Sequence, residues 1–254
     1  MTDILCIAPH PDDAEMICGG LLLKAKKAGI TFAIADCTRG EMGTRGTVAQ
    51  RKKESAAADK ILGTEKRINL GLKDGHLKDN PSALQVQLVR ALRLFRPKLV
   101  LAPYWEDQHP DHAAVGQAIE HAAWICGASK YDPKSAKGVV SQDKLPYRPK
   151  LVLYYNNRYG INADLVVDVT AEMKTKLELV RCYETQFGPA KIKVNGKLTD
   201  GPQTKLSSGK FFTFFEALHS YYGFRIGVEY GEPYCTKGPL PVMGLGLFGD
   251  LFKG

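Results

Sequence analysis

Two short stretches of the chain combine histidine and aspartate at spacings that suit metal binding. The first reads PHPDD and covers residues 9–13, and the second reads DQHPDH and covers residues 107–112. Two histidines and one carboxylate, drawn from two loops, make a three-ligand catalytic zinc site that leaves a fourth position for water. Zinc lowers the pKa of its bound water to roughly 7, but attack on an amide still needs a base and a donor for the developing oxyanion.

Two residues of these stretches suit the remaining roles. Asp12 lies beside His10 and Asp13 in the sequence, so its carboxylate is a candidate general base. His109 precedes His112 by three residues, a spacing that brings side chains together at the start of a helix. A protonated His109 is therefore a candidate for stabilising the oxyanion or protonating the leaving amine. The predicted cofactor is one divalent ion, Zn²⁺ or another metal that accepts nitrogen and oxygen ligands.

Each stretch also has a purely structural explanation. Aspartate at position 12 or 13 is a common residue at the N-terminus of a helix. Pro110 suits the first turn of a helix that His109 would cap. The remaining histidines have no partner at ligand spacing, and we place them outside the site: His76, His121 and His219.

Apolar strands and amphipathic helices alternate along the chain and would position the two stretches. Continuous apolar runs, typical of strands covered on both faces, occupy residues 4–8, 31–38, 67–72, 98–104, 150–156 and 165–170. Helical patterns occupy residues 19–29, 49–62, 83–95, 112–125, 171–183 and 212–222. This order predicts a single α/β domain over residues 1–254, with a doubly wound, mostly parallel, Rossmann-like sheet and helices on both faces.

Both histidine stretches directly follow a predicted strand. In doubly wound folds the ligand crevice lies beyond the carboxyl ends of the strands. We therefore expect residues 9–13 and 107–112 to open onto the same edge of the sheet, which favours one shared metal site over two unrelated helix caps. Two longer irregular stretches, about 128–148 and 188–208, are candidates for lids or flexible loops.

Three polar residues after the second and third predicted strands are candidates for binding a substrate. Arg51 can hold a carboxylate in a bidentate manner, and Glu41 would line the same edge of the sheet. Asp74 can accept hydroxyl groups of a sugar. Two of these residues also have structural alternatives, because Arg51 can begin an amphipathic surface helix and Asp74 can belong to a simple turn before Gly75.

The composition indicates a folded protein with a basic surface. The chain has 254 residues, of which 44% are hydrophobic and 24% are charged, as in average globular proteins. The formal net charge is +8, but the lysines cluster in two predicted loops without interleaved aromatic residues. A solvated basic rim is therefore favoured over nucleic-acid binding. The six cysteines are scattered without a CxxC pair, which indicates neither a disulfide framework nor a thiolate zinc site.

The sequence indicates neither membrane insertion nor secretion. No segment approaches the ~20 consecutive apolar residues that a membrane span requires. The start of the chain has no basic region before its short apolar run, unlike a signal peptide. We therefore expect a cytoplasmic protein that does not bind a membrane.

The chain resembles the LmbE-like (PIG-L) family of zinc deacetylases, whose members remove acyl groups from N-acetylglucosamine derivatives. PHPDD resembles the A-H-P-D-D signature of the family, and HPDH resembles its second metal motif. The resemblance implies that His10, Asp13 and His112 are the metal ligands. It implies Asp12 as the general base and His109 as the oxyanion or acid group.

Further segments resemble one branch of the family, which deacetylates N-acetylglucosaminyl-malate in bacillithiol synthesis. These segments are TRGEMGTRGT, NLGLKDG, YETQF and GVEYGEP. Arg51 and Asp74 match substrate-contacting positions of relatives, whereas Gln108 stands where close relatives often carry an arginine, and Pro9 replaces the usual alanine. The branch implies a small anionic glycoside as substrate, for whose carboxylates arginine is a logical partner, and a homo-oligomeric protein.

The sequence also admits two other functions. The same site could hydrolyse another N-acyl sugar or the amide of an S-conjugate. From a different class, the chain could be a basic Rossmann-like module that binds nucleic acid or nucleotides and carries a vestigial metal site. That function predicts binding to oligonucleotides with a steep dependence on salt.

Overall fold

The strands of the protein follow the predicted apolar runs and include three that the sequence patterns did not indicate. A computed structural model of the chain describes residues 2–64, 66–133, 145–156, 162–189, 191–194 and 197–240. In chain order the strands are β1 (Ile4–Ala8), β2 (Phe32–Asp36), β3 (Lys66–Asn69), β4 (Leu99–Pro103), β5 (Leu151–Tyr155), β6 (Leu165–Asp168), β7 (Lys191–Val194), β8 (Lys197–Asp200) and β9 (Gly231–Cys235).

Seven of these strands form one sheet in the order β3-β2-β1-β4-β5-β9-β6. β1 pairs in parallel with β2 on one side and β4 on the other, so that Ile4 lies opposite both Phe32 and Leu99. The β2–β3 and β4–β5 pairs are also parallel, whereas β9 runs antiparallel to both β5 and β6. The prediction of a mostly parallel, doubly wound sheet is confirmed.

Helices connect the strands, and two of them start with recognisable capping signals. They are α1 (Asp13–Lys27), α2 (Val48–Leu62), α3 (Pro81–Phe95), α4 (Pro110–Ile125), α5 (Met173–Arg181), α6 (Glu184–Phe187) and α7 (Phe211–Phe224). The start of α2 carries a capping box, in which Thr47 and Gln50 satisfy each other's backbone amides. α4 begins with proline in its first turn, where the missing amide hydrogen is not needed.

Hydrophobic side chains cover both faces of the sheet. Successive residues of a strand point to opposite faces, and in β1 this places Ile4, Cys6 and Ala8 in one apolar layer and Leu5 and Ile7 in the other. The first layer packs against α1, α2, α5 and α7, and the second packs against α3 and α4. The expected helices on both faces are therefore present.

Three features differ from the sequence-based expectation. β9 inserts antiparallel between β5 and β6, although no apolar run marked it as a strand. Residues 188–208, expected to be irregular, contain the hairpin of β7 and β8. The helix expected over 171–183 is α5, and a short helix that was not expected, α6, follows it at Glu184–Phe187. Of the other expected lid, about 128–148, residues 134–144 lie outside the described part.

None of the helices in the described ranges combines the length and the apolar character that crossing a lipid bilayer would require.

Candidate active site

The two histidine stretches meet at the point where the sheet changes winding direction. β1 leads through α1 to β2 on one side, whereas β4 pairs with β1 on the other side. Residues 9–13 leave the carboxyl end of β1, and residues 104–109 leave the carboxyl end of β4. Ligands of doubly wound folds bind at this position because loops leaving adjacent strands part there and form a crevice.

The three predicted metal ligands lie close together in this crevice. One carboxylate oxygen of Asp13, Oδ2, is 3.3 Å from His10 Nδ1 and 3.3 Å from His112 Nε2. The ring centroids of the two histidines are 5.4 Å apart. His112 reaches this position because α4 packs closely on the end of β4: a Cβ atom at Gly116 would lie only 2.5 Å from the carbonyl oxygen of Pro103.

The second ring nitrogen of each histidine faces other carboxylates. His10 Nε2 lies 3.1 Å from Asp74 Oδ1 and 3.3 Å from Asp111 Oδ2. His112 Nδ1 lies 3.6 Å from Asp107 Oδ2. Histidines that bind metals usually pair their other nitrogen with a carboxylate, which orients the ring and raises its basicity. The arrangement around His10 and His112 matches this pattern.

Asp13 lies at a suitable distance from both His10 and His112 to share a divalent metal with them. In a tetrahedral zinc site with bonds of about 2.0–2.1 Å, neighbouring donors are roughly 3.3 Å apart, as Asp13 is from both histidines. The site also attracts positive charge, because the pKa of His112 is raised to about 9 despite its burial, chiefly by the charge of Asp13 and the hydrogen bond to Asp107. The pKa of His10 is likewise raised, against the effect of burial, by hydrogen bonds to carboxylates.

Among the described residues, two sets have donor atoms that all lie within 4.8 Å of one another, and Asp13 belongs to neither. One set is His10, His109 and His112, and the other is His10, Asp74 and Asp111. The carboxylates of the second set already accept backbone amides: Asp74 from Met42, and Asp111 from Gly75 and Leu77. Asp13 Oδ2 likewise accepts the backbone amide of His10, at 2.9 Å, so backbone contacts do not separate these carboxylates. The set of His10, Asp13 and His112 stays the predicted ligand set, and Asp74 and Asp111 lie where they can orient the ring of His10.

Asp12, the predicted base, is buried beside these ligands in an unusual backbone conformation. Its φ is 136°, a value that L-residues rarely adopt and that is found mostly where the surrounding structure enforces it. Its Oδ2 accepts a hydrogen bond of 3.1 Å from Arg51 Nη1. Burial raises the pKa of Asp12 to about 7, against the lowering effect of the Arg51 cation and with a further increase from the charge of Asp13.

His109, the predicted oxyanion or acid group, caps α4 at the edge of the same crevice. Its ring lies 4.8 Å from that of His10 and 5.1 Å from that of His112, measured between centroids. Its Nδ1 accepts a hydrogen bond from the amide of Asp111, which leaves the proton of a neutral ring on Nε2. Burial and the neighbouring histidine charges lower the pKa of His109, so a neutral ring that donates through Nε2 is favoured over the protonated one.

The three residues expected to bind substrate differ in position. Arg51, in α2, is only 5% exposed, so it does not lie on a surface face of that helix. Its guanidinium donates to the carbonyl oxygen of Pro11 in the loop after β1. Asp74 lies at the crevice with one oxygen facing His10. Glu41 is exposed, and its carboxylate accepts the backbone amides of Arg39 and Asp74. Arg51 and Asp74 line the crevice, whereas Glu41 supports the loop behind it.

The crevice widens into a cavity of about 1010 Å³. Its floor holds the residues described above, together with Asp107 and Gln108. One wall comes from the segment before α7 and from the first turn of that helix, with Lys205, Lys210, Phe211 and Phe214. Sequence reasoning did not select these four residues, because their segment is 90 or more positions from the nearest histidine stretch and carries no motif. Nor did it assign roles to Asp107 and Asp111, although both lie within the quoted second stretch.

Residues 5–123 match the protein-family model PIG-L, which is described as GlcNAc-PI de-N-acetylase. This range contains both histidine stretches, Arg51 and Asp74. Proteins of known name also match over most of the chain. Diacetylchitobiose deacetylase from Thermococcus kodakarensis is 31% identical over 196 residues, which are 72% of this chain and 70% of that protein. Probable N-acetyl-alpha-D-glucosaminyl L-malate deacetylase 2 from Bacillus anthracis is 25% identical over 211 residues, covering 78% of this chain and 87% of that one.

The fold is shared with a solved structure. The conserved protein TT1542 from Thermus thermophilus aligns with a TM-score of 0.78 and 34% sequence identity, over 97% of this chain and 98% of that chain. Together with the site at the switch point of the sheet, these similarities define an α/β enzyme that acts on an N-acetyl amide. The chain belongs to the PIG-L (LmbE-like) family of deacetylases.

Proposed function

We propose that this enzyme is a zinc-dependent deacetylase of an N-acetylglucosamine conjugate, and that its substrate is N-acetylglucosaminyl-malate in bacillithiol biosynthesis. Support for the sugar comes from two relatives whose names specify diacetylchitobiose and N-acetylglucosaminyl malate. The observation that carries the proposal is the oxygen of Asp13 at 3.3 Å from both His10 Nδ1 and His112 Nε2, at the bottom of a large cavity.

His10, Asp13 and His112 would hold the metal. A bound divalent ion supplies Lewis acidity and lowers the pKa of a water molecule, which makes that water a nucleophile near neutral pH. The outward carboxylates of Asp74, Asp107 and Asp111 keep the two imidazole rings oriented with their inward nitrogens towards Asp13.

Asp12 would accept the proton of the attacking water. The water oxygen bonds to the acetyl carbon while the Asp12 carboxylate takes the proton, and the amide C–N bond then breaks. Asp12 gives the proton that it accepted to the sugar nitrogen as that nitrogen leaves, which restores the carboxylate, and acetate is the second product. The hydrogen bond from Arg51 fixes one oxygen of Asp12 and leaves the other to face the reacting water.

His109 would stabilise the charge that develops on the acetyl oxygen. A neutral ring with its proton on Nε2 is a hydrogen-bond donor at the moment when the carbonyl oxygen becomes negative. The amide of Asp111 holds Nδ1 and thereby selects this tautomer.

The proposal is tested by the release of free amine from N-acetylglucosaminyl-malate. Protein stripped of metal by a chelator should be inactive, and adding Zn²⁺ should restore turnover. Asp12→Asn should lower kcat by about 10²- to 10⁴-fold while zinc content stays near one ion per chain. His112→Ala should reduce zinc content itself.

Asp79→Asn provides a control, because Asp79 is an exposed aspartate paired with a histidine outside the site. Its turnover and zinc content should equal those of the wild type. Normal turnover by Asp12→Asn would eliminate Asp12 as the base, and activity unaffected by chelation would eliminate the metal.

A further inference from the structure

The cavity is lined by groups of opposite charge from distant parts of the chain. Its floor carries four aspartates, namely Asp12, Asp13, Asp74 and Asp107, together with Arg51. The wall before α7 carries Lys205 and Lys210. Arg51 and the proposed metal offset part of the aspartate charge, and the two lysines add positive charge that attracts a carboxylate of the substrate.

The arginine expected to bind a substrate carboxylate is already engaged. Arg51 donates from Nη1 to the carbonyl oxygen of Pro11 at 2.7 Å and to Asp12 Oδ2 at 3.1 Å. Its Nε lies 3.8 Å from Glu54 Oε2, and the whole side chain is buried. Gln108, on the floor, is neutral. Two of the three guanidinium nitrogens of Arg51 face Pro11, Asp12 and Glu54, and a substrate with two carboxylates would therefore need further cations.

Lys205 and Lys210 are the other cations lining the cavity among the residues that the structure describes. Both are exposed, and within the same described ranges neither ammonium group has a carboxylate within 4.0 Å. The turn that carries them is held by other groups: Ser208 Oγ donates to the carbonyl oxygen of Lys205, and the amide of Phe214 donates to that of Lys210. The lysine side chains remain available to a ligand.

We propose that Lys205 and Lys210 form a subsite for carboxylate groups on the aglycone of the substrate. This inference rests on the proposed deacetylase function and assigns the end of the substrate that does not react. The acetamido group would lie at the metal ligands, and the anionic aglycone would lie against the lysines. Phe211 and Phe214, on the same wall, would exclude water from one side of these ion pairs and strengthen them.

The test compares one anionic and one neutral substrate. The double variant Lys205→Gln/Lys210→Gln should lower kcat/KM for N-acetylglucosaminyl-malate by roughly 5- to 30-fold, mainly through KM. For N,N'-diacetylchitobiose, which has no carboxylate, kcat/KM should change less than about twofold. Replacing both lysines by arginine should retain most of the activity on the malate substrate, because the charge is kept. Lys174→Gln, at an exposed lysine of α5 outside the cavity, serves as the matched control.

Binding of the product, glucosaminyl-malate, to the zinc-loaded protein gives a second measurement that does not depend on turnover. Its Kd should rise by a similar factor in the glutamine double variant and should rise with salt in the wild type. Equal losses on both substrates, or an unchanged product Kd, would overturn the subsite. Absence of amine release from either substrate by the wild type would instead overturn the deacetylase function, while the product Kd still decides the subsite.

Discussion

The guanidinium of Arg51 donates a hydrogen bond of 3.1 Å to the carboxylate of Asp12, and both side chains are almost fully buried. The same Nη1 atom also donates to the carbonyl oxygen of Pro11, one residue earlier. Arg51 therefore holds both the side chain and the strained backbone of the residue proposed as the base. The sequence indicated Arg51 as a substrate contact, and its contacts in the structure add a role in positioning Asp12.

Replacing Arg51 by methionine should lower kcat about tenfold or more, because Asp12 loses the partner that fixes its orientation. KM for a neutral substrate such as diacetylchitobiose should change little, and zinc content should stay at one ion per chain. Steady-state kinetics combined with metal analysis separates these effects. A rise in KM with unchanged kcat would show that Arg51 acts by binding substrate instead.

Replacing Asp111 by asparagine should weaken zinc binding by about 10- to 100-fold, because His10 loses one of its outward carboxylates. Gly75 donates to Oδ2 and Leu77 to Oδ1, so asparagine keeps one of these two acceptors. Loss of the other hydrogen bond should cost about 1–3 kcal/mol of stability without unfolding the protein. Zinc affinity can be measured by competition with a chelator, with thermal unfolding of the metal-free protein as a check on the fold. Affinity equal to that of the wild type would contradict the orienting role.

The fully buried pair of Lys176 and Glu232 should matter for stability rather than for chemistry. Lys176 Nζ lies 2.6 Å from Glu232 Oε1, and Gly20 leaves the room for this contact, since a Cβ atom there would lie 2.6 Å from the same oxygen. Lys176→Met should lower the free energy of unfolding by about 3–5 kcal/mol, because it leaves a buried carboxylate without its cation. Urea denaturation measures this loss.

The matched control for that variant is Lys237→Met, at a lysine paired with the exposed Glu120. Its cost should be about 1 kcal/mol or less. Similar costs for the two variants would mean that burial of the Lys176 pair has no special energetic consequence.

The stability of the protein should depend on pH through Asp36, which faces Arg67, Glu15 and Asp59. Burial raises the pKa of Asp36 to about 6 in the folded state, against the effect of Arg67, from an ordinary value of 3.8. A raised acid pKa means that the folded state binds the proton more tightly. The contribution of Asp36 to the free energy of unfolding is therefore fully present below about pH 4 and is lost as pH rises through about 6.

Asp36→Asn removes this titration. We compare the free energy of unfolding of the wild type with that of the variant. As pH rises from about 4 to about 6, the wild-type value should fall relative to the variant value by up to ~1.4 kcal/mol per pH unit. Urea denaturation at several pH values measures the difference. A difference that does not vary with pH in this window would contradict the raised pKa.

Local patterns in the sequence were sufficient to identify the strands of the first half of the chain and to place both histidine stretches after strand ends. β1, β2 and β4 are continuous apolar runs buried on both faces, and this burial pattern is visible without any knowledge of contacts. His10 and Asp13 are three residues apart in one loop, so their proximity is also a local property. The convergence of residues 9–13 and 107–112 followed from the geometry of parallel strands, whose carboxyl ends share one edge.

Contacts between distant residues were not predictable in this way. Asp111 lies 101 positions from His10 and Lys176 lies 56 positions from Glu232, and no local periodicity records that either pair will meet. The antiparallel insertion of β9 and the wall of lysines at the cavity depend on how the last third of the chain returns to the sheet.

The sequence by itself determined which residue types stand at the carboxyl ends of the strands, because strand and helix periodicity are local. Tertiary structure alone decided that Arg51 donates a hydrogen bond to Asp12 and that two aspartates face Nε2 of His10. It also decided that Asp12 and the distant Lys205 and Lys210 line one cavity. These outcomes depend on how side chains of different elements pack against each other. The strength of a charge interaction follows the distance and the burial of the groups in space, and neither can be read from their separation along the chain.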